Sequence, residues 1–177
     1  MDLGLISVRY ARALLKAGIE TGQSEQVYKD MQTLAGEYVS VPELAAAIHN
    51  PMLSREQKKS LFMTAVGGKP CNLTERFFDL VLQEGREGIL QFIANSYITL
   101  FRKHNNLVSA RVTTATTLTP DTEAKMRQLV ESKTDGTVEF VTEVDPDIIG
   151  GFVLEYDTYR LDASVKSQLS AILSQLT

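Results

Sequence analysis

The chain has 177 residues, 44% hydrophobic and 23% charged, with a formal net charge of −4, which allows one ordinary domain or two small ones with modest cores. Its single cysteine, Cys71, excludes an internal disulfide and an all-cysteine metal site and reads as a small apolar filler near a helix start. No apolar run reaches the roughly 20 residues that cross a bilayer, and the opening Met1, Asp2, Leu3 and Gly4 lack the features of a secretory signal or an organellar presequence, so a bacterial cytoplasmic protein is expected.

Up to Asn105 the chain carries 12 basic and 11 acidic residues, and beyond it 6 and 11, so the acidity gathers towards the C-terminus. Neither half has a basic cluster larger than Lys58 with Lys59 or Arg102 with Lys103, which speaks against nucleic-acid binding. An acidic surface suits a basic protein partner.

Residues 3 to about 105 read as successive helices with short breaks. Leu5, Val8, Leu15 and Ile19 give the first helix its period, and Gly22 and Ser24 mark a turn before a second helix built on Val27, Met31, Leu34 and Tyr38. Pro42 opens a third helix and Asn50 before Pro51 ends it, because a residue preceding proline disfavours helical angles. Ser54 with Gln57 has the form of a capping box for a fourth helix. Asn72 with Glu75 repeats that form ahead of a fifth, which should stop near Gly85. A sixth is expected from Gly88 to His104, about 25 Å long at ~1.5 Å per residue, with Ile89, Ile93, Tyr97 and Leu100 on one stripe.

After Asn105 and Asn106 the period changes to alternation, which marks a domain boundary between 1–105 and 106–177. Val108, Ala110, Val112 and Thr114 form the covered face of a strand. Thr119, Pro120 and Asp121 open a helix in the favoured order of cap, first-turn proline and acid. Val138, Phe140, Thr142 and Val144 give a second strand. Phe152, Leu154 and Tyr156 give a third, returning through Asp157 and Thr158 to Tyr159 and Leu161. Asp162 or Ser164 caps the closing helix, striped by Val165, Leu169, Ile172 and Leu176. The expected class is α+β: an N-terminal six-helix bundle, then a small α+β domain with a short mixed sheet.

No catalytic, cofactor or metal site is legible. His49 and His104 stand at predicted helix ends, where the dipole alone favours them, and Asp145 and Asp147 lie in a turn where Asp satisfies local donors. Gly67, Gly68 and Lys69 lack the rest of a phosphate loop. Binding surfaces are the remaining prospect. With Phe77, Phe78, Val81 and Leu82 covering one side of the fifth helix, Leu80 is left on a flank with Arg76 and Gln83, while Tyr10 and Ala13 occupy a flank of the first. Together they could form a shallow groove for a partner helix.

The most informative stretch is Val144 to Leu154, an Asp145-Pro146 turn followed by Gly150 and Gly151, then Leu161, Asp162, Ala163, Ser164 and Val165. The double glycine admits backbone angles and close approaches closed to other residues and reads as a shaped joint. With Arg9 to Leu14 (RYARAL), Asn50-Pro51 and Glu84 to Arg86 in order over nearly the whole chain, it resembles the ATP synthase delta subunit family, whose mitochondrial counterpart is the oligomycin-sensitivity-conferring protein. Departures fall near Asp157 and at Ala163, where the family usually has glycine.

The resemblance implies a non-enzymatic connector without cofactor or small-molecule substrate, peripheral to the cytoplasmic face of the bacterial cell membrane. It implies that Tyr10, Ala13, Arg76, Leu80 and Gln83 meet the N-terminal helix of an alpha subunit. Val165, Leu169, Ile172 and Leu176, with the acidic turn, would meet the stalk b subunits, although the same stripe would equally serve to cover the sheet. Asp145, Pro146, Gly150, Gly151, Asp162 and Ser164 are expected to shape the fold. The rival reading is a small helical RNA-binding or antitermination-type protein.

Overall fold

The computed structural model describes residues 3–132, 137–156 and 159–176, apart from the side chains of Leu3, Leu129, Gln175 and Leu176. Two units, Met1–Lys103 and His104–Thr177, each surround their own buried residues. Six helices precede a four-stranded sheet and two accompany it, making eight α-helices among the described residues. The first six are α1 (Leu3–Thr21), α2 (Ser24–Ser40), α3 (Pro42–His49), α4 (Arg55–Ala65), α5 (Asn72–Gln83) and α6 (Leu90–His104).

Local chemistry sets several of these limits. Ser54 Oγ accepts from the Gln57 N–H at 3.2 Å while Gln57 Oε1 accepts from the Ser54 N–H at 2.9 Å, the reciprocal box expected at the start of α4. Asn72 is not a cap. It is the first residue of α5, behind an N-cap Cys71 whose side chain makes no capping bond. The donors there are met from a distance: the Cys71 N–H reaches Asp30 Oδ2 at 3.0 Å and the Leu73 N–H reaches Gln23 Oε1 at 3.3 Å. α6 begins at Leu90 rather than Gly88, because a tight 3₁₀ turn, Glu87–Ile89, precedes it.

The buried face of α1 differs from the expected stripe. Ser7, Ala11, Leu14, Leu15 and Gly18 face inward, while Leu5 and Ile19 are exposed. The reason is close packing. A Cβ on Gly18 would stand 3.0 Å from Ser24 Cα, so small residues let α1 approach the chain at the start of α2, and the buried face is shared between them and Leu14 and Leu15. Val27, Met31, Leu34, Ile48, Phe62, Phe78, Val81 and Ile93 fill the interior, each contributing on the order of 1.5–3 kcal/mol by burial. The fully buried Tyr97 donates its hydroxyl to the Ser24 carbonyl at 2.9 Å. Lys58, nearly buried, pairs with Glu87 at 2.8 Å. Burial opposes the Glu87 charge, but the hydrogen bond from Lys58 and its own backbone outweigh it and hold the carboxyl below its ordinary range.

The second unit holds β1 (Leu107–Thr114), α7 (Pro120–Glu131), β2 (Thr137–Val144), β3 (Phe152–Tyr156), β4 (Tyr159–Asp162) and α8 (Val165–Leu176). The strand order is β2-β1-β3-β4, with β1 parallel to β2 and the other pairs antiparallel, so the sheet is mixed. The parallel pair requires a crossover, which contains α7, capped by Thr119 Oγ1 on the Thr122 N–H at 3.4 Å. Ala110, Val112, Val130, Val138 and Leu154 form the core. Alternation holds on β1 but fades along β2, an edge strand whose Thr142 and Val144 are exposed. The turn expected at Asp157 and Thr158 lies outside the described residues, and the strands beside it pair Tyr156 with Tyr159.

Candidate partner-binding surfaces

Between α1 and α5 lies an open groove of about 800 Å³. Its apolar lining is Ile6, Tyr10, Ala13 and Leu80, and its polar lining is Arg9, Arg12, Lys16 and Arg86. Tyr10 is half-buried and meets Phe77 edge to face, with ring centroids 6.4 Å apart. Leu80 is 45% exposed, a large apolar side chain with no cover of its own. Arg86 reaches the groove through the way α5 ends. Gly85, at φ +63°, lets the Arg86 N–H return to the Val81 carbonyl at 2.9 Å and its own N–H to Leu82 at 3.3 Å, a Schellman turn.

Three of the five residues expected at this surface, Tyr10, Ala13 and Leu80, are therefore brought together. Arg76 and Gln83 share a stripe of α5 with Leu80 and are exposed, but they stand outside the lining. Sequence reasoning missed Ile6, Arg9, Arg12, Lys16 and Arg86. The signal was present, since 6, 9, 13 and 16 recur at three and four residues beside Tyr10.

In the second unit the double glycine is a joint between β1, β3 and α8. Gly151 has φ +75°, and a Cβ there would collide with the Ala163 carbonyl oxygen. Around it the Asp145 N–H bonds to Thr114 O at 2.8 Å, the Ala163 N–H to Phe152 O at 2.9 Å and the Val165 N–H to Gly150 O at 2.9 Å. Asp145 also accepts from the Asp147 N–H at 3.0 Å, with Pro146 in the first turn of a short 3₁₀ helix. Asp162 Oδ1 accepts the Ser164 hydroxyl at 2.7 Å and the Ser164 N–H at 3.0 Å, and Oδ2 accepts the Ser167 hydroxyl at 2.8 Å. These bonds hold the Asp162 carboxyl below the usual carboxylate range. Ser164 Oγ in turn accepts the Ser167 N–H at 3.2 Å, so Ser164 caps α8 while Asp162 holds that cap in place.

The stripe of α8 does not cover the sheet. Val165 would touch a Cβ on Gly150, but Leu169, Ile172 and Leu173 are 47%, 54% and 65% exposed. The side chain of Leu176 lies outside the described residues. Val165, Leu169, Ile172 and Leu173 thus form a run of exposed apolar side chains along α8.

Among the described residues no group of His, Cys, Asp and Glu could hold a metal ion, and no helix is long and apolar enough to cross a membrane. Comparison with known proteins decides the family: the model for "ATP synthase delta (OSCP) subunit" matches residues 6–176. The chain belongs to that family. The ATP synthase subunit delta of Phocaeicola vulgatus is 44% identical over 99% of this chain and 95% of its own length. That of Parabacteroides distasonis is 39% identical over 99% and 98%. A chain of the Toxoplasma gondii mitochondrial ATP synthase hexamer superposes with a TM-score of 0.67 over 96% of both chains at 21% identity, which shows the shared fold. Family membership makes this a non-catalytic, structural subunit of ATP synthase.

Proposed function

We propose that the chain connects the catalytic head of a rotary proton-translocating ATP synthase to its peripheral stalk, at the cytoplasmic face of the bacterial cell membrane, so that the head resists rotor torque. In this reading residues 1–105 hold the head and 106–177 hold the stalk. The N-terminal helix of an alpha subunit lies on Tyr10, Ala13 and Leu80, with Arg76 and Gln83 at its border. The C-terminal ends of the b subunits meet Val165, Leu169, Ile172 and Leu176 and the acidic turn. The observation that supports the reading is the open groove between α1 and α5, where Ile6, Tyr10, Ala13 and Leu80 offer apolar surface of the kind an amphipathic helix buries.

Titration calorimetry of the full chain with a peptide of the alpha N-terminus tests it. Ala13→Asp or Leu80→Asp puts a charge against apolar surface and should weaken binding by at least about tenfold. Unchanged affinity would remove the alpha helix from this groove. Truncation after residue 105 should keep alpha binding and abolish capture of b. Retention of bulk RNA on a filter by the intact chain would favour the RNA-binding rival instead.

A further inference from the structure

We propose that the groove between α1 and α5 selects one chemical type of helix: an amphipathic segment of about three turns with carboxylates flanking its apolar stripe. This rests on reading the groove as a helix site and adds which helix it accepts. The lining spans Ile6 to Lys16 on α1, about 15 Å at ~1.5 Å per residue. Among the described residues, half of the lining side chains are cations and none is an anion. Arg9, Arg12 and Lys16 recur at three and four residues along one wall, and Arg86 is supplied from the turn after α5.

Among the described residues no ion pair engages Arg9, Arg12 or Arg86, and Lys16 only approaches Glu20, at 4.0 Å, with both side chains well exposed. Up to Asn105 basic and acidic residues nearly balance, 12 against 11, so four cations in one lining are a local excess. Guanidinium groups offer paired donors that fit a carboxylate, and at a rim they act through on-rate and discrimination more than through raw affinity. The chain's own exposed amphipathic helix, α8, is a poor occupant. The only charged residue from 165 to 176 is Lys166, so α8 of a second copy would bring a like charge to the rim.

The test uses the intact chain and labelled peptides that share one apolar stripe but carry Glu, Gln or Lys on its flanks, with the alpha N-terminal peptide alongside. At low salt the Glu peptide should bind about tenfold more tightly than the Gln peptide and the Lys peptide more weakly still, the differences collapsing as the Debye length shortens to ~3 Å near 1 M salt. Arg9→Gln with Arg12→Gln, both exposed, should remove most of the Glu preference while the circular dichroism spectrum stays unchanged. Equal binding of the Glu and Gln peptides, or a preference indifferent to salt, overturns the charge selection and leaves the helix site standing. Failure of every peptide, the alpha peptide included, removes the helix site itself. A concentration-dependent dimer in sedimentation that Ile172→Asp and Leu80→Asp each abolish would seat a second copy's α8 in the groove and overturn the proposal.

Discussion

Replacing Gly151 by alanine should unfold the second unit locally, and replacing its neighbour Gly150 should not. At Gly151 the methyl group meets two obstacles. The backbone stands at φ +75°, where an L side chain costs about 1–2 kcal/mol. The Cβ also collides with the Ala163 carbonyl oxygen, which belongs to backbone and cannot swing aside; moving the entry to α8 or the start of β3 costs about 1–3 kcal/mol more. The total, roughly 2–5 kcal/mol, is a large share of what holds a small domain together.

At Gly150 an added Cβ meets only Val165 Cγ2, at 3.2 Å. That methyl belongs to a partly exposed side chain that can turn, so Gly150→Ala should stay within about 1 kcal/mol of the parent. Hydrogen exchange read by mass spectrometry resolves the two. Peptides from β1 and β3 of Gly151→Ala should lose protection by about thirtyfold or more, with α2 peptides unchanged as the internal reference. Parental protection of β3 in Gly151→Ala, or an equal loss in Gly150→Ala, would refute the collision argument.

Further outcomes follow from the polar contacts. Lys58→Met leaves the Glu87 carboxylate largely buried, with Oε2 already lacking a hydrogen-bond partner, and should cost about 2–4 kcal/mol in urea unfolding, with Lys58→Met/Glu87→Leu recovering most of it. Because the Glu87 carboxyl is held below its ordinary value, the stability it lends is complete above the usual glutamate range of about 4.3 and is lost as pH falls through the depressed folded value. An acid-unfolding profile that Glu87→Gln leaves unaltered would contradict that sign. Asp162 behaves in the same direction: the Ser164 amide resonance should titrate with a midpoint below the ordinary aspartate value of about 3.9. Tyr97→Phe removes the bond to the Ser24 carbonyl and should lower the stability of the first unit by about 1–2 kcal/mol, read from the urea midpoint.

Much of the fold was legible because its signals are local. The box at Ser54 and Gln57, the cap at Thr119 and the break at Asn50 depend on residues within one turn. What failed depends on distant neighbours. Asn72 looks like a cap until Asp30 and Gln23 are seen to satisfy the donors at that helix start. Of the stripe Leu5, Val8, Leu15 and Ile19, Leu15 is buried, but Leu5 and Ile19 are exposed while α1 buries Ser7, Ala11 and Gly18, because the start of α2 lies close beside it. Of the groove, Tyr10, Ala13 and Leu80 were found as apolar residues on flanks. The cations beside them escaped because exposed arginines are ordinary, and only their convergence from α1 and from the turn after α5 gives them meaning. Periodicity likewise gave no means of telling a covering helix from an uncovered one, so the openness of α8 waited for coordinates.

The inward small-residue face of α1 separates two tasks that a single amphipathic helix usually mixes. Its interior contacts run through serine, alanine, glycine and paired leucines, while positions 9, 12, 13 and 16 look outward. In the proposed reading, recognition on this helix is thereby free to be rewritten without disturbing the architecture beneath it, and grafting those four positions between relatives should transplant the choice of companion on an unaltered scaffold.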